Sequence, residues 1–581
     1  MDHIRFYQKE YPRPQLFRGS YQLLNGQWDF AFGKAEEADD LRSGGFSDLK
    51  ITVPFAYQTP ASGIDRQDRQ DVVWYSRQVE LTPQQLQGRV LLHFEGSDYE
   101  TTLWVNGQLV GSDTGAYHRI SFDCTDYLHP GSNTLAVKVT DDYSIEKPRG
   151  KQRWKDESFE CWYVDTTGIW KPVWLEFVPQ TYVSALRLEP SRPEEALEAF
   201  WQVTGTCEGL QAEITVTFRG KTVATAQADA AQGRLKLKLT DILPLQLWEV
   251  GDGKLYELEL KLCRDGELVD LVQSYFGVRD ITIRDTQIFL NGKPLYQKLI
   301  LDQGYWKDTH LTAPSEEALI KDITDMMAMG FNGARKHQKV DDDRALYYAD
   351  ILGYIIWAEM PSMYDNTPKS RAVFEREWLM AVDQMRNHPC VLVWVPLNES
   401  WGIREIAFDP VQQNFANEMY HKTKAVDPTR PVITNDGWEH TISDIITIHE
   451  YLQDGDVVHE KYDTVEKCCT AIYSDYKKTT FAQGYGYRGQ PILFSEFGGT
   501  AFDRDAVGNS WGYGQAVTDD ADFLKRFEGL IGAIDRLPFS CGYCYTQLTD
   551  VQQEVNGLED VNHEPKFDIA AVRQILEKCG R

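Results

Sequence analysis

The sequence predicts a multidomain β plus α/β protein, in which two β-sandwich domains precede a C-terminal (β/α)8 TIM barrel. Three observations predict this fold class. The chain has 581 residues, more than a single hydrophobic core can organise. Its first 280 residues form short strand patterns separated by turn residues. From about residue 280, short apolar strands alternate with helical patterns.

Residues 1–180 are predicted to form a jelly-roll β-sandwich. Segments such as GQWDFAF (26–32) and VVWYSRQVEL (72–81) alternate apolar and polar residues or run apolar, and no helical pattern separates them. Asn106-Gly107 lies between two short apolar segments, which is the strongest short-range signal for a two-residue hairpin turn. We therefore expect consecutive antiparallel strands in this part of the chain.

Residues 181–280 are predicted to form an immunoglobulin-like β-sandwich. They continue the strand pattern with fewer aromatic residues, in four predicted strands: LEAFWQVTGT (197–206), AEITVTFRG (212–220), GRLKLKLTD (233–241) and KLYELELKLC (254–263). A length of about 100 residues is usual for an immunoglobulin-like domain.

Residues 281–581 are predicted to form the barrel, because eight strand candidates alternate with helical patterns in about 300 residues. The predicted strands cover residues 294–302, 331–339, 354–361, 391–400, 431–437, 444–451, 491–499 and 540–550. The predicted helices cover residues 315–330, 342–352, 373–387, 411–426, 520–533 and 567–578. In such a barrel the reacting side chains lie at the C-terminal ends of the strands.

The composition argues against several classes of partner. With 60 Lys and Arg against 88 Asp and Glu, the formal net charge is −28, which disfavours nucleic acid and anionic membranes. No segment reaches the roughly 18 apolar residues of a membrane span, and the N-terminus lacks the apolar core of a signal peptide. The ten cysteines are scattered, so we expect reduced thiols, no structural zinc and a cytoplasmic location.

Carboxylates end two of the predicted barrel strands. The fourth strand is apolar as far as Leu397 and then presents Asn398 and Glu399, and the seventh ends in Ser495 and Glu496. A carboxylate at a strand end often caps the next helix. Six of the strands end in polar groups, however, and capping gives no reason for all of them to face one mouth. A facing pair of carboxylates is what cleavage of a glycosidic bond requires.

Four motifs resemble those of glycoside hydrolase family 2, which contains β-galactosidases, β-glucuronidases and β-mannosidases. VWVPLNESWG and LFSEFGG resemble the acid/base and nucleophile motifs of this family. TTGIWKPVWLE (166–176) is similar to its sugar-binding-domain signature, and FGVRDITIRDTQIFLNGKPLY (276–296) to the start of its barrel. The resemblance spans nearly the whole chain and implies the same order of domains, jelly roll, immunoglobulin-like sandwich and barrel.

The resemblance implies a retaining double-displacement reaction. By this resemblance Glu496 is the nucleophile, and Glu399 is the acid that then acts as the base. Asn398 resembles the residue that hydrogen-bonds the sugar 2-hydroxyl, and Tyr451 resembles the tyrosine that holds the nucleophile. The apolar strand around Glu399 is expected to raise its pKa, so that it keeps its proton near neutral pH.

Further residues are expected to contact the substrate. His388 resembles a histidine near the reacting ring, although a histidine before a strand is as often a structural donor. Tyr545 stands where some relatives place a tryptophan that stacks under the sugar. His337 falls one place early for the Arg-x-x-His pattern of many relatives. The remaining candidates are the strand-end residues Asp302 and Arg335. Trp306, Trp401 and Trp511 are expected to form an aromatic platform for the apolar faces of a sugar.

The sugar is less well specified than the reaction. Family glucuronidases carry an Asn-x-Lys near the C-terminus that binds the substrate carboxylate, whereas the matching stretch here has Glu554 and Asn556, and a glutamate would repel a uronate. A basic cluster of Arg335, Lys336 and Lys339 either binds a uronate or neutralises the carboxylates around it. The large β-galactosidases add C-terminal domains and metal ligands, whereas this chain stops at the barrel, so we predict no metal and no cofactor.

The sequence therefore predicts a retaining exo-β-glycosidase of the β-galactosidase type that acts on a neutral sugar. The alternatives within enzymes are a β-glucuronidase, a β-galacturonidase or an arabinosidase. A catalytically inactive carbohydrate-binding protein is the alternative from another class, and the presence of both Glu399 and Glu496 disfavours it. The expected partner is a small carbohydrate or glycoside, and a homo-oligomer is an expectation from the family alone.

Overall fold

The computed structural model describes residues 3–33, 39–47, 49–242, 244–473, 477–502 and 510–579. Two β-sandwiches and a parallel barrel follow one another along the chain, which confirms the predicted fold class. None of the described helices is both long enough and apolar enough to cross a lipid bilayer.

The first sandwich consists of a six-stranded and a four-stranded antiparallel sheet. Asn106 and Gly107 have φ angles of 51° and 78°, as the predicted two-residue hairpin turn requires. The six-stranded sheet has the order Leu49–Val53, Gly26–Phe32, Val72–Leu81, Gly131–Thr140, Glu100–Val105, Gln108–Thr114. The four-stranded sheet has the order Tyr21–Leu23, Val173–Val178, Arg89–Phe94, Ile120–Asp123. Smaller elements are Asp39–Arg42, Pro60–Ser62, Thr125–Tyr127 and the pair Ser97–Asp98 with Gly168–Ile169.

The second sandwich packs a three-stranded sheet on a four-stranded sheet. Along Leu210–Phe218 every second residue is buried, because strand side chains alternate between the core and the solvent. The three-stranded sheet has the order Tyr182–Ser191, Ala196–Thr204, Arg234–Lys238. The four-stranded sheet has the order Lys221–Asp229, Leu210–Phe218, Tyr256–Arg264, Glu267–Phe276. Three of these seven strands, Tyr182–Ser191, Lys221–Asp229 and Glu267–Phe276, are additional to the four that the sequence predicts.

Eight parallel strands form the barrel in the part of the chain that the structure describes. Seven of them pair in the order Val391–Val395, Ile355–Glu359, Gly333–Lys336, Gln297–Asp302, Ser540–Thr546, Ile492–Gly498, Ile446–Glu450. The fifth strand, Asn435–Asp436, pairs with Leu397–Asn398, which continues the fourth strand. The hydroxyl of Thr447 accepts a hydrogen bond from the Gly437 amide at 2.9 Å and so joins the fifth strand to the sixth. Small sheets are formed by Ile281–Arg284, Gln287–Leu290 and Lys293–Pro294, by Ile472–Tyr473 and Lys478–Thr479, and by Thr500–Phe502 and Tyr513–Val517.

Helices surround the barrel strands. They cover Glu316–Met329, Asp343–Leu352, Pro368–Met385, Pro410–Val426, Gly455–Tyr462, Val465–Thr470, Asp520–Asp535 and Ile569–Lys578. The third helix begins at Pro368 rather than at residue 373, because Thr367 and Ser370 form a capping box and proline suits the first helical turn. The two helices after the sixth strand are absent from the sequence prediction.

The barrel strands hold their C-terminal residues in fixed positions. All residues of Val391–Val395, Ile355–Glu359 and Gly333–Lys336 are buried, as expected for parallel strands covered on both faces. Polar groups at the ends of these strands are therefore positioned by the packed core below them.

Candidate active site

A cavity of about 770 Å³ opens at the C-terminal mouth of the barrel. This volume falls within the range of about 300–1,000 Å³ that is usual for small-molecule pockets. Seven of the predicted site residues line the cavity: His337, Glu399, Trp401, Tyr451, Glu496, Trp511 and Glu554. The polar strand ends therefore converge on one space rather than each capping its own helix.

Glu399 projects into the cavity from a sharp turn at the end of the fourth strand. Glu399 and Ser400 have left-handed φ angles of 50° and 58°, a conformation that is uncommon for residues other than glycine and is often associated with functional sites. The amide of Glu399 donates to the carbonyl oxygen of Asp436 at 2.9 Å, which fixes the turn against the fifth strand. The apolar strand thus presents a carboxylate rigidly at its end.

Glu496 is held by two donors at the end of the seventh strand. The guanidinium of Arg335 donates to Oε1 of Glu496 at 2.7 Å, and the hydroxyl of Tyr451 donates to Oε2. Arg335 is fully buried, and it also contacts the carboxylates of Glu359 at 2.6 Å and Asp436 at 3.0 Å. The three carboxylates neutralise this buried cation, and the cation orients Glu496.

The two cavity carboxylates lie close together in different electrostatic surroundings. An oxygen of Glu399 and an oxygen of Glu496 lie within 4.8 Å of each other. Burial raises the pKa of Glu399, and the charge of Glu496 raises it further. Burial also raises the pKa of Glu496, but the charges of His449 and Arg335 outweigh burial and lower that pKa below its ordinary value. The pair therefore favours one protonated and one ionised carboxyl group.

His449 links Glu399 to the polar network of the barrel, and it is not among the site residues predicted from the sequence. Its Nδ1 lies 2.8 Å from Oε1 of Glu399, and its Nε2 lies 3.4 Å from Oδ2 of Asp436. Burial lowers the pKa of His449, but the surrounding carboxylates raise it to about 10, so the ring carries a proton on both nitrogens at neutral pH. A signal exists in the sequence, since His449 and Tyr451 alternate onto the same face at the end of the sixth strand.

Asn398 and His337 lie beside the buried carboxylates at the barrel mouth. Oδ1 of Asn398 accepts a hydrogen bond from Arg335 at 2.7 Å, whereas its buried amide nitrogen has no hydrogen-bond partner among the described residues. Nδ1 of His337 lies 3.0 Å from Oε1 of Glu359. Burial and the neighbouring cations Lys151 and Arg335 lower the pKa of His337. Asn398 therefore has a donor left for a ligand.

The first sandwich contributes part of the cavity wall. Lys151, Glu160, Cys161 and Trp162 line the cavity and belong to the long loop that follows Gly131–Thr140. The sequence does not indicate this contribution to the cavity, because the loop carries no motif and reaches the cavity only by packing on the barrel.

Lys151 and Glu554 form the charged end of this wall. Lys151 is buried, and its ammonium lies 4.9 Å from the centre of the Trp401 ring. No described carboxylate oxygen lies within 4.0 Å of this ammonium. Glu554 accepts a hydrogen bond from the hydroxyl of Tyr163, another residue of the loop, and one from Asn556 at 3.0 Å. Burial raises the pKa of Glu554, although Lys151 opposes this shift.

Two predicted substrate-binding residues, His388 and Asp302, lie away from the cavity. His388 precedes the fourth strand, at the N-terminal end of the barrel, and its Nδ1 lies 2.6 Å from Asp350, so it is a structural residue. Oδ1 of Asp302 accepts from the amide of Gly304 at 2.8 Å, and its other oxygen is paired with Lys336 at 2.5 Å. The predictions for these two residues are therefore not supported by their positions.

Tyr545 is also placed in the core rather than under a sugar. Its ring packs edge-on against Phe497 at 5.5 Å and Phe527 at 4.8 Å, and the residue is fully buried. Thr546, the next residue of the strand, lines the cavity instead, because side chains alternate along a strand. Of the predicted aromatic platform, Trp401 and Trp511 line the cavity, whereas Trp306 stacks on His563.

A metal ion is not needed to hold the two cavity carboxylates. Glu399, His449 and Glu496 have potential ligand atoms within 4.8 Å of one another. Hydrogen bonds with His449, Arg335 and Tyr451 already engage these carboxylates. The donor set fits a hydrogen-bonded carboxylate pair better than a closed metal site.

Three family models match the chain in sequence. Residues 21–179 match "Glycosyl hydrolases family 2, sugar binding domain", residues 181–279 match "Glycosyl hydrolases family 2", and residues 281–521 match "Glycosyl hydrolases family 2, TIM barrel domain".

Curated relatives with two different names are similar to the chain. The β-glucuronidase of Felis catus is 25% identical over 551 residues, which cover 84% of this chain and 81% of the relative. A putative β-glucuronidase of Formosa agariphila is 25% identical over 61% of this chain, and a β-galactosidase of Klebsiella pneumoniae is 26% identical over 62%. The matches span 44% and 35% of the lengths of these two relatives.

Solved structures share the fold over nearly the whole chain. A β-glucuronidase from Bifidobacterium dentium, complexed with coumarin-3-O-glucuronide, superposes with a TM-score of 0.80 at 18% identity and covers 97% of this chain and 98% of that one. A β-glucuronidase from an uncultured Clostridium has a TM-score of 0.78 at 18% identity, with coverage of 97% and 99%. At this identity the likeness concerns the fold.

Proposed function

The chain belongs to the glycosyl hydrolases of family 2, and on this basis we propose that it hydrolyses terminal β-glycosidic bonds with retention of anomeric configuration. In this proposal Glu496 is the nucleophile, and Glu399 is the acid in the first step and the base in the second. The substrate is a small glycoside whose sugar ring lies in the barrel mouth.

The separation of the two carboxylates carries this proposal. Retaining glycosidases place their carboxyl groups about 5–5.5 Å apart, whereas inverting enzymes need about 6.5–9.5 Å to admit a water molecule between carboxylate and sugar. One oxygen of Glu399 and one oxygen of Glu496 lie within 4.8 Å of each other. This spacing supports direct attack by Glu496 on the anomeric carbon.

The protonation states expected for the two carboxyl groups support the same division of roles. Glu496 must be ionised to attack, and its pKa is lowered by His449 and Arg335 against the effect of burial. Glu399 must hold a proton for the leaving oxygen, and burial together with the charge of Glu496 raises its pKa. When Glu496 becomes esterified its charge disappears, so the pKa of Glu399 falls and the residue can accept a proton from the incoming water.

The free amide donor of Asn398 and the aromatic walls support sugar binding. The amide nitrogen of Asn398, which has no partner among the described residues, lies next to Glu399 in the chain and suits a sugar hydroxyl near the reacting carbon. Trp162, Trp401 and Trp511 line the cavity and offer apolar faces to a sugar ring or to an aromatic leaving group.

For the sugar, we propose a neutral glycone of the β-galactoside type. Glu554 lies in the cavity with both oxygens already hydrogen-bonded to Tyr163 and Asn556, and a carboxylate accepts further hydrogen bonds readily from sugar hydroxyls. Its negative charge disfavours a uronate at the same place.

A β-uronide is the second candidate, and Lys151 is the observation that favours it. This buried ammonium faces the cavity without a carboxylate within 4.0 Å among the described residues, so it has hydrogen-bonding capacity for an anionic substrate group. Burial lowers its pKa, but Coulombic interactions with Cys161 and with the carboxylate of Glu554 raise it above the ordinary value, so it stays charged.

Hydrolysis of a panel of nitrophenyl glycosides tests the proposal. The panel contains the β-galactoside, β-glucoside, β-mannoside, β-glucuronide and β-galacturonide, together with α-L-arabinosides. We expect turnover of a neutral β-glycoside that Glu496→Ala abolishes. Inactivity of the wild-type protein on every β-glycoside of the panel, with a folded chain by circular dichroism, would contradict the proposal.

Two variants decide between the glycones. If a uronide is the substrate, Lys151→Met is expected to lower its kcat/KM by about 10²-fold or more, because a charged hydrogen bond is lost, and Glu554→Gln is expected to raise it. If a neutral sugar is the substrate, Glu554→Gln is expected to be the more damaging change. Turnover of a uronide by the wild-type protein would replace the neutral glycone with the second candidate.

A further inference from the structure

Three potential metal ligands meet outside the cavity of the active site. Asp322 lies on the helix Glu316–Met329, and Glu559 and His563 lie in the segment after the eighth barrel strand. One ligand atom from each of the three lies within 4.8 Å of the others, and the three residues are 5%, 0% and 4% exposed. The proposed reaction does not involve any of them.

Glu559 is the unusual member of this group. Both of its carboxylate oxygens are buried, and neither has a hydrogen-bond partner among the described residues. A buried carboxyl group without partners destabilises the folded state by about 1–3 kcal/mol or more. Protonation of Glu559 would remove the charge but would leave its hydroxyl without an acceptor. A group that binds both Glu559 and its neighbours is therefore expected.

His563 is oriented as metal-binding histidines commonly are. Its Nε2 lies 2.8 Å from the carbonyl oxygen of Tyr305 and donates its proton there. The other ring nitrogen, Nδ1, lies 2.8 Å from Oδ1 of Asp322. A ligating histidine typically donates its second N–H to a backbone carbonyl, which fixes the ring and the tautomer.

The spacing of the donors suits a common ion. Two ligands that are each about 2.1 Å from a tetrahedral Zn²⁺ lie about 3.4 Å apart. The Nδ1–Oδ1 distance of 2.8 Å in His563 and Asp322 therefore needs to lengthen by about 0.6 Å when the ion binds. Asp322 also lines an internal cavity of about 20 Å³, which has room for one water molecule as a further ligand.

We propose that Asp322, Glu559 and His563 bind a divalent transition-metal ion, with Zn²⁺ as the best match to one imidazole and two carboxylates. Calcium and magnesium prefer sites made of oxygen ligands alone, whereas zinc readily combines histidine with carboxylates. The ion neutralises Asp322 and Glu559 and gives the oxygens of Glu559 a partner. Lys321 donates to Asp325 at 2.7 Å and to the carbonyl oxygen of His563. Its charge opposes the effect of burial on the pKa of Glu559, but it makes no hydrogen bond to either oxygen of Glu559 among the described residues.

The ion has a structural role in this proposal. The amide of Glu559 donates to the carbonyl of Leu548 at 2.7 Å, and the amide of Asp550 donates to the carbonyl of Glu559 at 2.9 Å. These bonds close a loop that carries Glu554 into the active-site cavity. The ion fastens this loop to the helix Glu316–Met329, at a position that does not touch the substrate.

Metal content and metal binding of the untagged full chain test the proposal. After purification without added metal, elemental analysis by mass spectrometry is expected to find about one zinc or other first-row divalent ion per chain. Treatment with EDTA should remove it, and Zn²⁺ returned alone should bind at one site in calorimetry. Hydrogen exchange in residues 548–566 should become slower when Zn²⁺ is returned.

Variants assign the binding to these residues. Glu559→Gln, which keeps the size of the side chain, is expected to weaken Zn²⁺ binding by 100-fold or more. Asp325→Asn, one turn further along the same helix, removes a neighbouring carboxylate and is expected to leave binding unchanged. This pair also excludes zinc at Glu399 and Glu496, because both variants retain those residues.

Two results would overturn the proposal. One is a purified chain that contains only traces of metal and that binds no Zn²⁺ after EDTA treatment at about 100 μM of the ion. The other is equal Zn²⁺ binding by wild type and Glu559→Gln, which would place the ion elsewhere. Since neither readout depends on turnover, the outcome is independent of whether the proposed glycosidase reaction is correct.

Discussion

Glu496 is held by Arg335 and Tyr451, whereas Glu399 is hydrogen-bonded to His449. The cations beside Glu496 outweigh burial and lower its pKa, while burial and the charge of Glu496 raise the pKa of Glu399. Two identical functional groups are thereby separated into an ionised and a protonated form within one range of pH. This separation is the physical basis for assigning them different roles.

Replacement of Glu399 should affect substrates according to their leaving groups. Glu399→Ala is expected to lower kcat/KM by about 10²–10⁴-fold for glycosides with poor leaving groups, and far less for activated nitrophenyl glycosides, because only the former need a proton. Glu496→Ala should abolish turnover of both. Steady-state kinetics on a series of aryl glycosides checks this, and equal losses on all of them would contradict the acid/base role of Glu399.

The rate should depend on pH through both carboxyl groups. Glu496 is needed ionised, so kcat/KM falls as the pH drops through its lowered pKa. Glu399 is needed protonated, so kcat/KM falls as the pH rises through its raised pKa. His449 lowers both pKa values through its charge. His449→Gln is therefore expected to move both limbs of the profile to higher pH by about one unit.

A second buried histidine provides the control for His449. Burial lowers the pKa of His440 to about 4, so His440→Gln removes no charge at neutral pH, and its Nε2 contacts Thr447 rather than either carboxylate. The pH profile of this variant should stay in place. If neither limb of the pH profile of kcat/KM shifts in His449→Gln, the charge of His449 does not set the pKa values of the two carboxyl groups, and the residue acts by packing alone.

Individual site residues are predictable from the sequence to different degrees. The structure brings Glu399 and Glu496 together, because both end strands of one barrel and the direction of their side chains follows from the strand pattern. Asp302 and Tyr545 were misplaced, since the side-chain alternation at the strand ends depends on register, which the sequence does not give. Lys151 was missed because its position depends on contacts between domains.

The long loop of the first sandwich is the element that completes the cavity. The indole of Trp511 donates to the carbonyl of Glu160 at 2.9 Å, and Gln553 donates to the same carbonyl at 2.9 Å. The hydroxyl of Tyr163 donates to Glu554 and accepts from Gln303 at 3.0 Å. The loop is thus joined to the barrel at the point where Glu554 enters the cavity.

Loss of the Tyr163 hydroxyl should impair substrate binding. Tyr163→Phe leaves Glu554 short of one donor in a buried site, so kcat/KM is expected to fall by about 5- to 100-fold, corresponding to about 1–3 kcal/mol. Tyr99→Phe makes the same chemical change in a buried bond between Tyr99 and Glu377, 2.7 Å long, that also joins the first sandwich to the barrel. Neither of these two residues lines the cavity. If kcat/KM falls as much in Tyr99→Phe as in Tyr163→Phe, weakened packing of the first sandwich on the barrel explains both losses, and the bond to Glu554 has no specific role.

Secondary structure is predictable where local signals are strong. The helix Glu316–Met329 has Ser315 as its N-cap and Gly330 in the left-handed conformation after its end, as the sequence indicates. The helices Gly455–Tyr462 and Val465–Thr470 were missed because they are short and each buries only one or two residues, so their apolar periodicity is weak. Proline at the first turn concealed the start of Pro368–Met385.

On the scale of the whole molecule, the three-part architecture follows from the sequence, because strand and helix patterns change abruptly along the chain. Family membership agrees with this order of domains. The domain limits at residues 180 and 280 stay predictions, as do a cytoplasmic location and a homo-oligomer. None of the ten cysteines forms a disulfide among the described residues, which does not by itself identify a compartment. The choice of glycone depends on Lys151 and Glu554, which lie on different domains, so no local sequence pattern specifies it.

The stereochemistry of the first product tests the central claim most directly. Proton NMR can follow the anomer released from whichever nitrophenyl β-glycoside the chain hydrolyses, before mutarotation mixes the anomers. Because Glu399 and Glu496 lie within 4.8 Å of each other, we predict that the β-anomer appears first. Release of the α-anomer first would mean that water attacks directly, and it would contradict the assignment of Glu496 as the nucleophile.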